Sequence, residues 1–260
     1  MTRVSDGVDR VPLLLSESAD QEFREQGFTV VPLVDPEYLD ALSERMSALI
    51  PPDSGPFFTL YKHDTPELRR TIDAAVRKEL QPFADSIMCN HRFYVGSLWV
   101  KSPGEGSPID AHQDWSFVDE TRHVSGALWF PLEATDENNG GLSVVPGSHR
   151  LDLPYRGTPP TSIEPYLHGF VNVTTKPGEA VIFHNALIHR SSENQSDHPR
   201  IVMALGFLSE TADFVYFFTD QQGQKWRYRL ADDFPFTHQP PHRPEGPSVL
   251  AVEPWPSASE

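Results

Sequence analysis

His112-Gln113-Asp114 places two metal-ligating side chains two residues apart, and His184, His189 and Arg200 follow downstream. In an extended chain successive side chains alternate between faces, so His112 and Asp114 project to one side and Gln113 to the other. Two histidines and one carboxylate on one face of a divalent ion, with the opposite positions open, are the ligand set of Fe(II) sites that activate oxygen. The second histidine must come from Gly178-Glu-Ala-Val-Ile-Phe-His184-Asn-Ala-Leu-Ile-His189, an apolar run of β character leading out of a Pro177-Gly178 turn. By residue type, either His184 or His189 can supply it. A His-x-Asp triplet alone says little in a chain with 11 histidines, and His112 reads equally well as a hydrogen-bonded histidine at a strand end.

The elements that must position these groups can be read coarsely. Residues 1–17 form a loose lead. Ser18–Gln26 and Pro36–Ile50 have helical character, with Asp35 as N-cap and Pro36 at the first helical position. Phe28–Val31 and Phe57–Tyr61 read as short strands, and Thr65-Pro66 opens a third helix running toward Ile87. From Phe93 onward, short apolar runs separated by Gly, Pro and Asn clusters predict an all-β barrel or double-sheet jelly roll. The expected organisation is one domain over 1–260, with a helical part at 18–90, a β core at 91–220 and a tail at 231–260. Seven prolines in that tail predict an irregular course.

Bulk properties constrain partners. A chain of 260 residues can fill one hydrophobic core. A formal charge of −16 makes nucleic acid and anionic membranes poor partners, leaving a small-molecule substrate as the expected one. The single Cys89 excludes an internal disulfide framework and a cysteine zinc site, and it fits a reducing compartment. The stretch Val11–Leu15 is too short for a leader h-region, no run reaches membrane-spanning length, and Ser-Ala-Ser-Glu260 is no peroxisomal address, so a cytoplasmic protein is expected. The oligomeric state is not legible.

From about Phe93 to Phe207 the chain resembles the phytanoyl-CoA dioxygenase family of Fe(II)/2-oxoglutarate oxygenases in three ordered blocks. The first is His112-Gln113-Asp114-Trp115. The second, Asn138 to Arg150, follows the family pattern NG-x-L-x-V-x-PGSH through His149. The third runs from His189 through Ser191, Asn194 and Ser196 to Arg200. The resemblance implies a mainly β fold, a double-stranded β-helix of the jelly-roll or cupin kind with the N-terminal helices packed outside. It selects His189 over His184, because His189 puts Arg200 at the family's eleven-residue spacing. It further implies Fe(II) on His112, Asp114 and His189, with 2-oxoglutarate and dioxygen at the open positions. Arg200 would pair the far carboxylate of 2-oxoglutarate as a rigid charged fork. Ser191, Trp129, Ser97, Gln113 and Lys62 would face the co-substrate. Related halogenases carry a small residue where this chain keeps Asp114, which disfavours halogenation.

Substrate residues are the least legible. Trp99, Trp115 and Phe117 are candidates to wall a pocket, and Lys62, His63 and Lys101 are candidates to meet an anionic group. A CoA thioester would bring phosphates, for which the chain offers only Arg69-Arg70 and Arg77-Lys78. The expected activity is hydroxylation of an unactivated C–H bond in a small metabolite or natural-product intermediate. The alternatives are an acyl-CoA or carrier-bound acyl hydroxylase and, in another class, a non-catalytic metal-binding jelly roll.

Overall fold

A computed structural model describes residues 11–59, 65–151, 155–157, 162–238 and 242–255. Lys62 and His63 lie outside the described residues. The chain begins with helix α1 (Glu17–Gln26), where the Ser16 hydroxyl accepts from the Ala19 N–H and Gly27 closes the C-terminus at φ +83°. Buried Asp20 accepts the Leu13 and Leu14 N–H groups at 2.7 and 3.0 Å, tying the lead to the helix. Strand β1 (Phe28–Pro32) follows directly.

Asp35 caps as expected, accepting from the Glu37 N–H. The helix it opens is shorter than the sequence suggests: a 3₁₀ turn at Pro36–Tyr38 leads into α2 (Leu39–Ser47). Strand β2 (Phe57–Thr59) precedes α3 (Pro66–Asp85). In α3, Ile72, Val76, Leu80 and Ala84 recur at helical spacing and are buried toward β3 (His91–Lys101). Gly96 of β3 allows that approach, since an added Cβ would meet the Asp73 carbonyl at 3.0 Å and the Val76 side chain at 3.1 Å.

The β core continues with β4 (Ile109–His112), β5 (Ser125–Pro131), β6 (Leu142–Val144), β7 (Val171–Asn172), β8 (Glu179–His184), β9 (His189–Ser191) and β10 (Arg200–Ser209). Two antiparallel sheets result, one six-stranded in the order β1-β8-β5-β10-β3-β2 and one four-stranded in the order β4-β9-β6-β7. Between them lies an inner cluster of Trp129, Leu142, Val144, Val181, Phe183, Leu187 and Val202. The opposite face of the six-stranded sheet, with Leu128, Phe130, Ile182, Met203 and Leu205, joins the helices in the outer core. This is the expected double-sheet jelly roll with helices outside.

The core differs from its sequence outline at both edges. Strands β1 and β2, drawn from the N-terminal part, complete the six-stranded sheet by pairing with β8 and β3. Beyond β10, strands β11 (Val215–Thr219), β12 (Lys225–Leu230) and β13 (Val249–Pro254) form a third sheet, with α4 (Phe234–Thr237) in between. The tail is therefore not wholly irregular. Of its described prolines, Pro235 sits in α4, Pro244 and Pro247 in the connection, and Pro254 at the last position of edge strand β13, where a missing donor is tolerated. Among the described residues, no helix is long and apolar enough to cross a membrane.

Candidate active site

Strands β4 and β9 pair antiparallel with His112 directly opposite His189, and the two rings lie 4.2 Å apart. Asp114 falls two residues beyond the end of β4, yet its Oδ1 is 3.5 Å from His112 Nε2 and 4.0 Å from His189 Nε2. One ligand atom from each of the three side chains lies within 4.8 Å of the others. The Nδ1 atom of each histidine contacts the carbonyl two residues upstream, Asp110 at 2.8 Å and Leu187 at 2.9 Å. A carbonyl can only accept, so Nδ1 carries a proton in both rings and Nε2, facing the common point, is the atom that can ligate when the ring is neutral.

The charge states of Asp114 and His189 suit ligation, and a cation at the site would displace the proton that Asp114 favours on His112. Burial works against charge on Asp114, but His189, His112 and Arg156 outweigh it and hold the carboxyl below its ordinary range. Burial, then the charge of His112, pushes His189 down to about 4. Burial also opposes charge on His112, but Asp114 and Asp110 prevail and keep it above the ordinary histidine value. At neutral pH the trio offers a carboxylate and a neutral buried imidazole, as a divalent cation requires.

Arg200 opens β10 and is 2% exposed. Its guanidinium lies 5.3 Å from the ring centre of Trp129, and its Nε and Nη1 have no hydrogen-bond partner. A buried guanidinium with unanswered donors is expensive without an anion. Ser97 and Trp129 both stand opposite Ala204 in the register, and Ala204 shares the inward face with Arg200 and Val202. Ser191 is buried on the same side of β9 as His189. Asn194 fixes the spacing between ligand and arginine: its Nδ2 donates to the carbonyls of Lys101 at 3.0 Å and His198 at 2.8 Å.

Residues 23–202 match the family model described as Phytanoyl-CoA dioxygenase (PhyH). The chain belongs to the phytanoyl-CoA dioxygenase family. It is 33% identical over 123 residues to Phytanoyl-CoA dioxygenase 1 of Oryza sativa subsp. japonica, a match covering 43% of each sequence. The chain thus spans about half the length of the curated relatives it matches. Its fold is similar to the α-ketoglutarate-dependent carbocyclase SnoK from nogalamycin biosynthesis, with TM-score 0.56 and 19% identity over 82% of this chain and 88% of that one. EvdO2 from Micromonospora carbonacea var. aurantiaca, complexed with 2-oxoglutarate, gives TM-score 0.55 and 23% identity over 76% and 93%.

In this phytanoyl-CoA dioxygenase family member, several residues are placed differently from the sequence reading. Lys101, expected to meet an anionic group, turns its ammonium onto main-chain carbonyls. It is fully buried and donates to the carbonyls of Ser191, at 3.3 Å, and Ser192. Phe117 is buried in an aromatic cluster, 5.2 Å from Tyr94 and 5.5 Å from Phe214. Trp115 is half-buried and edge-on to Phe117 and Tyr216. Trp99 packs partly buried against the inner cluster. Gln113 donates to the Ala186 carbonyl at 2.5 Å, while its buried Oε1 has no partner. His184 ends β8, whereas His189 begins β9 in the other sheet, so the apolar run crosses between layers. His184 accepts the Ala186 N–H at Nδ1 and stacks 6.3 Å from Phe23, a packing role.

Sequence reasoning missed Arg156. It is 4% exposed and its Nε donates to the main-chain carbonyl of Asp114 at 2.8 Å. No spacing pattern links positions 42 residues apart, so nothing local could have flagged it.

Proposed function

We propose that this chain is an Fe(II)/2-oxoglutarate-dependent oxygenase that hydroxylates a small metabolite or natural-product intermediate. One observation carries the reading: the converging His112, Asp114 and His189, with each Nδ1 tied to a carbonyl and each Nε2 facing the common point, share the sandwich with a buried arginine whose Nε and Nη1 have no hydrogen-bond partner. The residues fit both groups. Iron at the trio would supply the redox chemistry that couples decarboxylation of 2-oxoglutarate, to succinate and carbon dioxide, with oxidation of a substrate C–H bond by dioxygen. Arg200 would pair the distal carboxylate, and Trp129 and the inner apolar cluster would keep water from that pair. The His112 and Asp114 side chains are 39% and 29% exposed while His189 is at 5%, so substrate approaches from the His112–Asp114 side.

Two of the four basic candidates for a CoA phosphate have other duties. Arg69 is buried and donates to the His238 carbonyl at 2.9 Å. Arg77 pairs with Asp73 at 2.8 Å and donates to the Phe93 carbonyl. These engagements, with the net charge of −16, favour a small metabolite over acyl-CoA. HygX from Streptomyces hygroscopicus, similar in fold at TM-score 0.51, was solved with nickel, 2-oxoglutarate and hygromycin B bound, which supports a small-molecule substrate class.

The test is anaerobic addition of Fe(II) and 2-oxoglutarate, which should give the weak visible charge-transfer band of a chelated 2-oxo acid. A substrate screen for coupled succinate release follows. A protein that binds the metal but never 2-oxoglutarate would leave a non-catalytic metal-binding jelly roll.

A further inference from the structure

Asp114 lies past the last residue of β4, where no strand ladder fixes its backbone. A different set of contacts holds it. Besides the Nε bond to the Asp114 carbonyl, the Arg156 guanidinium forks onto Glu120, with Nη1 donating to Oε2 at 2.7 Å and Nη2 to Oε1. Its backbone is bonded both ways to Ser116: the Ser116 N–H donates to the Arg156 carbonyl at 2.9 Å, and the Arg156 N–H donates to Ser116 Oγ at 3.0 Å. The neighbours of Arg156 pin the same segment to β11. Tyr155 stacks on Phe217 with ring centres 4.3 Å apart, and its hydroxyl donates to Asp119 at 2.6 Å. A Cβ on Gly157 would lie 1.9 Å from the Phe217 carbonyl oxygen, so only glycine permits this approach.

The Arg156 and Glu120 side chains are 5% and 16% exposed. A desolvated ion pair is a poor device for stability alone, since apolar residues of like volume often do as well. Its geometry suggests a positional duty. We propose that Arg156, oriented by Glu120, is a positioning residue that fixes the main chain at Asp114 and so keeps that carboxylate aimed at the Nε2 atoms of His112 and His189. The pair replaces the strand hydrogen bonds that β4 no longer provides, and outer contacts of this kind govern how well a ligand meets its metal. The inference rests on Asp114 being a ligand, as proposed above.

Cobalt(II) is the probe, read by calorimetry and by its visible d–d bands, neither of which needs turnover. Glu120→Gln and Arg156→Met should each weaken Co(II) binding by roughly ten- to a hundredfold and alter the bands. Arg156→Lys should recover only part of the loss, because an ammonium cannot serve the carbonyl and both Glu120 oxygens together. The Glu120→Gln/Arg156→Met double variant should be no worse than Arg156→Met, as expected of residues acting as one unit. If Arg156→Met fails to fold by circular dichroism, Glu120→Gln and Arg156→Lys decide. Co(II) affinity within twofold of wild type and unchanged bands in those two variants would overturn the proposal. A wild-type protein that binds no Co(II) would instead overturn the metal site, and the positioning role with it.

Discussion

Arg200 and Lys101 face one another across the β10–β3 ladder, and neither side chain reaches solvent. Like charges directly opposite in a sheet repel. The two cations are resolved differently: Lys101 is answered by the Ser191 and Ser192 carbonyls, while Arg200 keeps two donors free. Burial pushes Arg200 down to about 10, and burial followed by the Arg200 charge pushes Lys101 down to about 7. A dicarboxylate entering beside Arg200 would relieve both.

Removing the fork should therefore cost co-substrate affinity while sparing the metal. Arg200→Ala loses a charge-assisted contact of about 1.5–3 kcal/mol, which is roughly a ten- to 150-fold rise in the apparent 2-oxoglutarate dissociation constant. Arg200→Lys should regain part of it. Calorimetric titration of the metal-loaded protein checks this, and a change below about twofold would mean that the anchor lies elsewhere.

Binding should also move a proton. With Lys101 poised near neutrality, an anion arriving at Arg200 raises its pKa, so at pH 7.5 the complex takes up a fraction of a proton. Titrations in buffers of different ionisation heat should give different apparent enthalpies in wild type and equal ones in Lys101→Met. Buffer-independent heats in wild type would count against the coupling.

The two candidate histidines should separate cleanly. His189→Ala should abolish the Fe(II)/2-oxoglutarate band, whereas His184→Ala should keep most of it and lose thermal stability instead, because His184 is buried against Phe23 and His149. The reverse ranking would reassign the ligand.

Acid should weaken the fold from about pH 6.5 downward. Burial first, with nearby positive charge second, pushes His149 and His184 down to about 3. Groups with depressed folded values favour the native state above the unfolded pKa of about 6.5, and that advantage drains as pH falls from there toward 3. Urea midpoints of the metal-free protein should drop between pH 7.5 and 4.5, and His184→Asn should show a shallower slope. An identical slope in the variant would remove His184 from the account.

The convergence of His112, Asp114 and His189, and the placing of Arg200, were legible because each falls in a short motif whose spacing a strand pair and one asparagine-stapled turn convert directly into geometry. The jelly-roll sheets were legible from their apolar runs and turn clusters. What escaped depends on distant chain. Whether Lys101 meets solvent or the Ser191 and Ser192 carbonyls is decided by β9, ninety residues on. Phe117 reads as a pocket wall until Tyr94 and Phe214 close around it. Strand β13 was obscured by the proline-rich sequence around it and by Pro254 at its end, which pairing with β12 tolerates only at an edge.

The two candidate ligand histidines and the arginine stand on opposite layers of the sandwich, His112 and His189 on the four-stranded sheet and Arg200 on the six-stranded one. Anything gripped at both ends becomes a strut between the leaves. Clamping the leaves at one end prepays the ordering needed at the other, so metal and dicarboxylate should each tighten the grip on its companion by the same factor. Melting curves should then rise more for the two together than for their separate increments added.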